Sequence, residues 1–159
     1  TNRINATLNA SVGSHKIGDY VKSDRGIGQL VSYEAYSPGL VQQAFNKSVT
    51  DLAKDLGLSG TPSRQELLDA LKLKLEGKTD PKNPKNNVEP DKAFIEKLQQ
   101  KYKNIVDQLK TDGGREAFLD KRLMEGFRDN FVAGIKQPSE HPRFLRRYDT
   151  TEKYYDSLK

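Results

Sequence analysis

Cationic side chains next to aromatic rings are the residues of this sequence best suited to chemistry. The densest group consists of Arg143, Phe144, Arg146, Arg147 and Tyr148. An arginine guanidinium can form paired hydrogen bonds with a carboxylate or a phosphate, and a neighbouring ring can stack on a nucleic-acid base. The two rings could instead anchor this segment to the rest of the protein while the arginines face water. We therefore predict a binding site for an acidic group, with a structural role of the rings as the alternative.

A second group of cations, Lys97, Lys101 and Lys103, lies in a segment with helical periodicity. Lys97 and Lys101 are four positions apart, so they share one face of a helix. The chain has a formal net charge of +5, which favours partners that carry negative charge. We predict that these lysines and the arginines of the first group form one basic face.

Residues that would support catalysis or metal binding are scarce. The sequence has no cysteine, which excludes disulfides, thiolate catalysis and cysteine-ligated metals. Its two histidines, His15 and His141, follow no metal-binding spacing, and the sequence has neither a phosphate-binding loop nor a nucleophile elbow. These absences favour a non-enzymatic protein without a cofactor or a metal. The alternative is an enzyme in which a histidine and a carboxylate such as Glu34 meet only in the folded chain.

A helical hairpin is predicted over residues 37–77, and the rest of the chain is organised around it. Ser37 and Pro38 are predicted to begin its first helix, since serine can cap free amides and proline is tolerated in the first turn. Gly57 ends this helix, because glycine readily takes the left-handed conformation after a helix. The apolar face of the helix follows the helical period and consists of Val41, Phe45, Val49, Leu52 and Leu56.

The second helix of the hairpin is predicted to begin either at Thr61-Pro62 or at a capping box formed by Ser63 and Glu66. Ser63 and Glu66 have the spacing at which each side chain accepts a hydrogen bond from the backbone amide of the other residue. Gly77 ends the helix. Its predicted buried face consists of Leu67, Leu68, Leu71 and Leu75.

Part of the hairpin, residues 51–71, resembles the pattern of helix, extended turn and helix found in SAP-type and Rho N-terminal nucleic-acid modules. The resemblance rests on spaced leucines and a glycine turn. It implies nucleic-acid binding, with an ordinary helical hairpin as the alternative. The cations that would contact the nucleic acid are Lys47, Lys54, Arg64, Lys72 and Lys74.

The segments around the hairpin differ in composition. Residues 1–22 are predicted to form an arm that packs on the main body. Ser23 or Asp24 is predicted to cap a helix that runs to Tyr36, with a loop that becomes helical only at Gln29 as the alternative. Residues 78–91 contain three prolines and three asparagines, and they are predicted to form an exposed internal linker.

Two long amphipathic helices follow the linker. The first is predicted over residues 90–109 and the second over residues 115–136, with a turn at Asp112-Gly113-Gly114. Helices joined by a short turn usually pack as an antiparallel pair. The whole chain, residues 1–159, is therefore predicted to be a single all-α domain, an irregular bundle of two packed helical hairpins with a Pro/Asn-rich connector.

These features favour an interaction module whose basic face binds an acidic protein partner. Nucleic-acid binding through the same face and the hairpin at residues 37–77 is the alternative, and an anionic membrane surface is a further candidate partner. No apolar run reaches the roughly 18 residues of a membrane span. The absence of cysteine is consistent with a domain of an exported bacterial protein, and equally with a reducing cytosol.

Overall fold

The computed structural model describes residues 2–135, and most of them are helical. The prediction of an all-α bundle is confirmed, because the helices pack together and the described strands are very short. In chain order the elements are α1 (Asn2–Asn9), β1 (Ser11–Val12), β2 (His15–Lys16), α2 (Ile17–Tyr20), α3 (Asp24–Tyr36), α4 (Leu40–Asp55), α5 (Arg64–Glu76), a 3₁₀ helix (Pro84–Asn86), α6 (Lys92–Lys101), α7 (Ile105–Gln108) and α8 (Asp112–Gly134).

The core is organised on α4 and α8, which share the most extensive contact between elements of the described chain. Every residue of the predicted apolar face of the first hairpin helix is buried, as is the inward face of α8. These residues are Val41, Phe45, Val49, Leu52 and Leu56 on the first helix, and Phe118, Leu119, Leu123, Phe127 and Phe131 on α8. Burial of a large apolar side chain contributes roughly 1.5–3 kcal/mol, so this contact is a main source of stability.

Small side chains let α4 and α8 approach each other closely at one point. Gly126 of α8 faces Ser48 of α4, and a Cβ atom at position 126 would lie 2.6 Å from the Ser48 Oγ. The buried Ser48 hydroxyl donates a hydrogen bond of 2.7 Å to the Leu123 carbonyl. Asn130 Nδ2 donates a second interhelical hydrogen bond, of 3.3 Å, to the Ala44 carbonyl. These polar contacts fix the register of the two helices.

The predicted capping box at the start of α5 is confirmed. The Ser63 hydroxyl accepts a hydrogen bond of 3.1 Å from the Glu66 amide, and the Glu66 carboxylate accepts one of 3.1 Å from the Ser63 amide. The helix ends at Gly77, as predicted, with a φ of 69°. Of the leucines predicted to face inward, Leu67 and Leu71 are buried, and Leu68 and Leu75 are partly buried.

The predicted start of the first hairpin helix at Ser37 is wrong. Ser37 is the C-cap of α3, and its amide donates a hydrogen bond of 2.9 Å to the Tyr33 carbonyl. The next helix begins at Leu40, after Gly39 with a φ of 84°. Glycine tolerates this left-handed conformation, which lets the chain reverse direction between the two helices.

The predicted helix over residues 90–109 is interrupted. α6 ends at Lys101, and Asn104, with a φ of 61°, turns the chain before α7. Asparagine is one of the few non-glycine residues that adopt this conformation with any frequency. The predicted turn at Asp112-Gly113-Gly114 is also wrong, because these residues form the first turn of α8 behind the Thr111 cap.

The N-terminal segment packs on the main body, as predicted. α1 packs against α2 and α3, and the antiparallel pair of β1 and β2 contacts α4 through β1. Val12, Ile17 and Tyr20 are fully buried. The segment therefore contributes side chains to the hydrophobic core.

The connector at residues 78–91 is exposed along most of its length and forms a closed loop. Lys78 and Val88 exchange two backbone hydrogen bonds of 2.7 and 2.8 Å at the base of the loop. Within it, the Asp80 carboxylate accepts hydrogen bonds from two backbone amides at 3.0 and 3.2 Å. These hydrogen bonds close the loop, whose residues are mostly exposed.

Candidate binding site: the basic cleft

An open cleft of about 1130 Å³ lies between the start of α3, the turn from α6 to α7, and α8. We name it the basic cleft. Its cationic residues are Arg25, Lys101, Lys103 and Lys121, its carboxylates are Asp120 and Glu125, and its larger apolar residues are Tyr102, Ile105, Phe118 and Met124. The cleft thus brings together cations from three separate parts of the chain.

The wall formed by α3 depends on a cap and a glycine. Of the two predicted caps, Ser23 is the one that caps the helix, and its hydroxyl accepts a hydrogen bond of 3.1 Å from the Gly26 amide. A side chain at position 26 would collide with Val21, so glycine lets the first turn of α3 pack tightly on the preceding segment. This packing places Arg25 and Gln29 in the wall of the cleft.

The opposite wall depends on the junction between α7 and α8. A side chain at position 114 would collide with the Gln108 carbonyl, so Gly114 lets α7 end directly against the first turn of α8. Arg115 is buried, donates a hydrogen bond of 2.9 Å to the Leu109 carbonyl and forms an ion pair with Asp112. These contacts hold the C-terminal end of α7 against the first turn of α8, and the α6–α7 turn that carries Lys103 directly precedes α7.

Tyr102 lies among the lysines of the cleft. Lys101 Nζ is 5.4 Å and Lys121 Nζ is 5.0 Å from the centre of its ring, and the Phe118 ring packs edge-on at 5.6 Å between centres. The Tyr102 hydroxyl donates a hydrogen bond of 2.9 Å to Glu125. Burial and this hydrogen bond raise the pKa of Tyr102, so the hydroxyl remains protonated near neutral pH. The ring thus holds two ammonium groups near the cleft by cation–π contacts.

The two carboxylates of the cleft are engaged by arginines that do not line it. Asp120 Oδ1 lies 2.5 Å from Arg64 Nη1, and Glu125 Oε2 lies 3.7 Å from Arg122 Nη1. Among the residues that the structure describes, the lysines that line the cleft form no ion pair with a carboxylate. These lysines are Lys101, Lys103 and Lys121. The cleft therefore has an excess of positive charge.

Part of the predicted basic face lies in this site. Lys101 and Lys103 line the cleft, whereas Lys97 is exposed on α6 and does not. The other predicted binding residues, Arg143, Phe144, Arg146, Arg147 and Tyr148, lie outside the described residues, and their role stays a prediction. The predicted basic face did not include Arg25 and Lys121, which also line the cleft. The only local signal for Lys121 is its position three residues after the buried Phe118, which places it at the edge of the core-facing side of α8.

The candidate catalytic residues that the structure describes make separate contacts, each with a different part of the protein. The His15 ring packs edge-on against Tyr20, with ring centres 6.1 Å apart, and the Glu34 carboxylate accepts a hydrogen bond of 3.0 Å from the Gly39 amide. His141 lies outside the described residues. Over residues 2–135, no group of three or more histidines and carboxylates is placed to hold a metal ion.

Comparison with known proteins identifies no relative. No protein-family model, curated protein or solved structure matches the chain. In the described part of the chain, every helix is too short or too polar to span a lipid bilayer. The basic cleft is therefore the feature from which a function is inferred.

Proposed function

We propose that this protein is a non-enzymatic interaction module that binds an acidic segment of a protein partner in the basic cleft. The observation that carries this proposal is the excess of lysine charge in the cleft. The ammonium groups of Lys101 and Lys121 both lie within 5.4 Å of one ring centre, so they are at most about 10 Å apart. This separation is about the Debye length at 0.1 M salt, so the two charges still repel each other. A carboxylate that enters the cleft relieves this repulsion.

The openness of the cleft favours a segment of a protein over a small molecule. Small-molecule sites usually measure about 300–1,000 Å³ and enclose most of their ligand. The basic cleft measures about 1130 Å³ and is open to solvent. A chain segment can lie along such a cleft and place several carboxylates near its lysines.

Nucleic-acid binding has less support than binding of an acidic protein. In the hairpin at residues 37–77, three cations are already paired with carboxylates of the protein itself. The pairs are Lys47 with Asp51 at 3.0 Å, Arg64 with Asp120 at 2.5 Å, and Lys74 with Asp91 at 3.2 Å. Proteins that bind single strands present rings on which bases stack, and every aromatic side chain over residues 2–135 is at least partly buried.

Binding of the full chain to labelled probes tests the proposal. The probes are a short glutamate-rich peptide, single- and double-stranded DNA, RNA, and anionic and neutral lipid vesicles, each at low and physiological salt. Two variants with the same loss of charge are compared. Lys103→Ala/Lys121→Ala alters the basic cleft, and Lys82→Ala/Lys85→Ala removes two exposed lysines of the connector that do not line it.

We expect the cleft variant to bind the acidic peptide about tenfold more weakly, a loss of about 1.4 kcal/mol in binding free energy. The connector variant should bind it within about twofold of the wild type, since it retains the cleft lysines. Equal losses in the two variants would show that binding depends on net charge alone and would contradict the proposal. Absence of peptide binding even at low salt would also contradict it. Tight, salt-dependent DNA or RNA binding that is lost in the cleft variant would favour the nucleic-acid alternative.

A further inference from the structure

The basic cleft contains apolar surface as well as charge. Ile105 and Phe118 are buried where they line it, Met124 is half-buried, and Ala117 is exposed. A partner that offered only carboxylates would leave the accessible part of this apolar surface in water. In protein–protein interfaces the central surface is usually apolar and the rim is polar.

One face of α8 carries both apolar and charged side chains. Ala117, Lys121 and Met124 are separated by four and three positions, so they lie on the same side of the helix, and all three line the cleft. Met124 has an unbranched, flexible side chain that can adapt to partner side chains of different shapes. This face therefore presents apolar side chains on both sides of a lysine.

We infer that the basic cleft recognises a segment of a partner protein in which apolar side chains alternate with carboxylates. The apolar side chains cover Ala117 and Met124, and the carboxylates pair with Lys101, Lys103 and Lys121. This inference rests on the proposed function and specifies the chemistry of its partner. The charges speed association and orient the segment, while the apolar contacts contribute binding that salt does not screen.

Two synthetic peptides of equal length and equal charge test the inference with the full chain. In the polar peptide, glutamates are separated by glycine and serine. In the apolar peptide, the same glutamates are separated by leucine at half of those positions. We expect the apolar peptide to bind about tenfold more tightly than the polar one, and this preference to persist when added salt weakens both.

Two substitutions, one in the cleft and one outside it, locate the apolar contact. Met124→Ala should reduce the preference for the apolar peptide about fivefold, because it removes buried methylene and methyl groups from the cleft. Leu73→Ala is the matched control, since Leu73 is exposed on α5 and does not line the cleft. It should leave the preference unchanged. Circular dichroism and thermal unfolding show whether each variant is folded, and the wild-type comparison of the two peptides stands without the variants.

The outcomes separate this inference from the proposed function. Equal affinity for the two peptides would overturn the inference and leave the proposed function in place. A preference that survives Met124→Ala in a folded variant would also overturn the inference, because the leucines would then bind elsewhere. Failure of both peptides to bind at low salt would overturn the proposed function, and the inference with it.

Discussion

Replacement of Gly126 by alanine is expected to destabilise the protein, although alanine is the better helix former. Gly126 lies inside α8 and faces Ser48 of α4. The new Cβ atom would lie 2.6 Å from the Ser48 Oγ and 3.3 Å from the Ser48 Cβ. Unstrained heavy atoms are about 3.5 Å or more apart, so either the serine must rotate or the helices must separate.

The magnitude follows from the contacts that must change. Rotation of Ser48 breaks its buried hydrogen bond of 2.7 Å to the Leu123 carbonyl, which costs about 1–3 kcal/mol. Separation of the helices costs about 1–3 kcal/mol through strain and loosened packing. The gain in helix propensity from glycine to alanine is about 1 kcal/mol. Taking the middle of either range, about 2 kcal/mol, and subtracting the gain of about 1 kcal/mol, we expect a net loss of about 1 kcal/mol in the free energy of unfolding.

Urea denaturation followed by circular dichroism measures this loss. Gly113→Ala is the matched control, because Gly113 lies in the same helix and a Cβ atom there meets nothing within 4 Å. This control should be neutral, or stabilising by up to about 1 kcal/mol. In a double-mutant cycle, Ser48→Ala should reduce the cost of Gly126→Ala by more than about 0.5 kcal/mol, since the hydroxyl is the group in the way.

A Gly126→Ala protein as stable as the wild type would refute this reasoning. So would a cycle in which the two substitutions are strictly additive. Either result would mean that α4 and α8 are farther apart than described, or that they separate at little cost.

Two further predictions concern a helix cap and a buried hydroxyl. Ser63→Ala should lower the free energy of unfolding by about 1 kcal/mol in urea denaturation, because it removes the helix cap. Ser59→Ala, in an exposed loop, is the control and should change the free energy of unfolding little. Equal effects of the two substitutions would contradict the role of the cap. Burial, with the nearby charges of Asp19 and Glu66, raises the pKa of Tyr20 to about 12 from 10.0. The stability that the protonated Tyr20 hydroxyl contributes is therefore complete below pH 10 and is lost as the pH rises towards 12. The urea midpoint should therefore fall more steeply over this range in the wild type than in Tyr20→Phe, and parallel curves for the two proteins would contradict the assignment.

Short-range rules account for much of the fold. The capping box of Ser63 and Glu66, the cap at Ser23 and the glycine at the end of α5 are all present as predicted. Each depends on residues within one helical turn, so the sequence contains the whole interaction. The apolar faces of α4 and α8 were also predictable, because the helical period fixes which residues share a side.

Helix boundaries that depend on neighbouring elements were not predictable. Ser37 can cap the start of one helix or the end of another, and the choice depends on how far α3 continues. Asn104 interrupts a pattern that is otherwise periodic, and the sequence contains no stronger breaker there. The sequence Gly113-Gly114 is typical of a turn. In the structure both glycines are helical, and Gly114 leaves room for the Gln108 carbonyl to approach α8 closely.

The candidate site was predicted only in part for a similar reason. Lys101 and Lys103 are near each other in the chain, so their clustering is visible in the sequence. Their association with Arg25 and Lys121 depends on how α3 and α8 meet the α6–α7 turn. No short-range sequence pattern indicates contacts between elements that are distant in the chain, and a single sequence does not show which exposed cations are constrained.

The most direct test of the central claim is an NMR titration of the full chain with the glutamate-rich peptide. Two glycine amides line the basic cleft, those of Gly26 and Gly114, and Gly60 and Gly77 report on the hairpin at residues 37–77 away from it. If an acidic segment binds in the cleft, the signals of Gly26 and Gly114 should shift with peptide concentration while those of Gly60 and Gly77 stay in place. Shifts confined to Gly60 and Gly77, with Gly26 and Gly114 unchanged, would contradict the assignment of the basic cleft as the binding site.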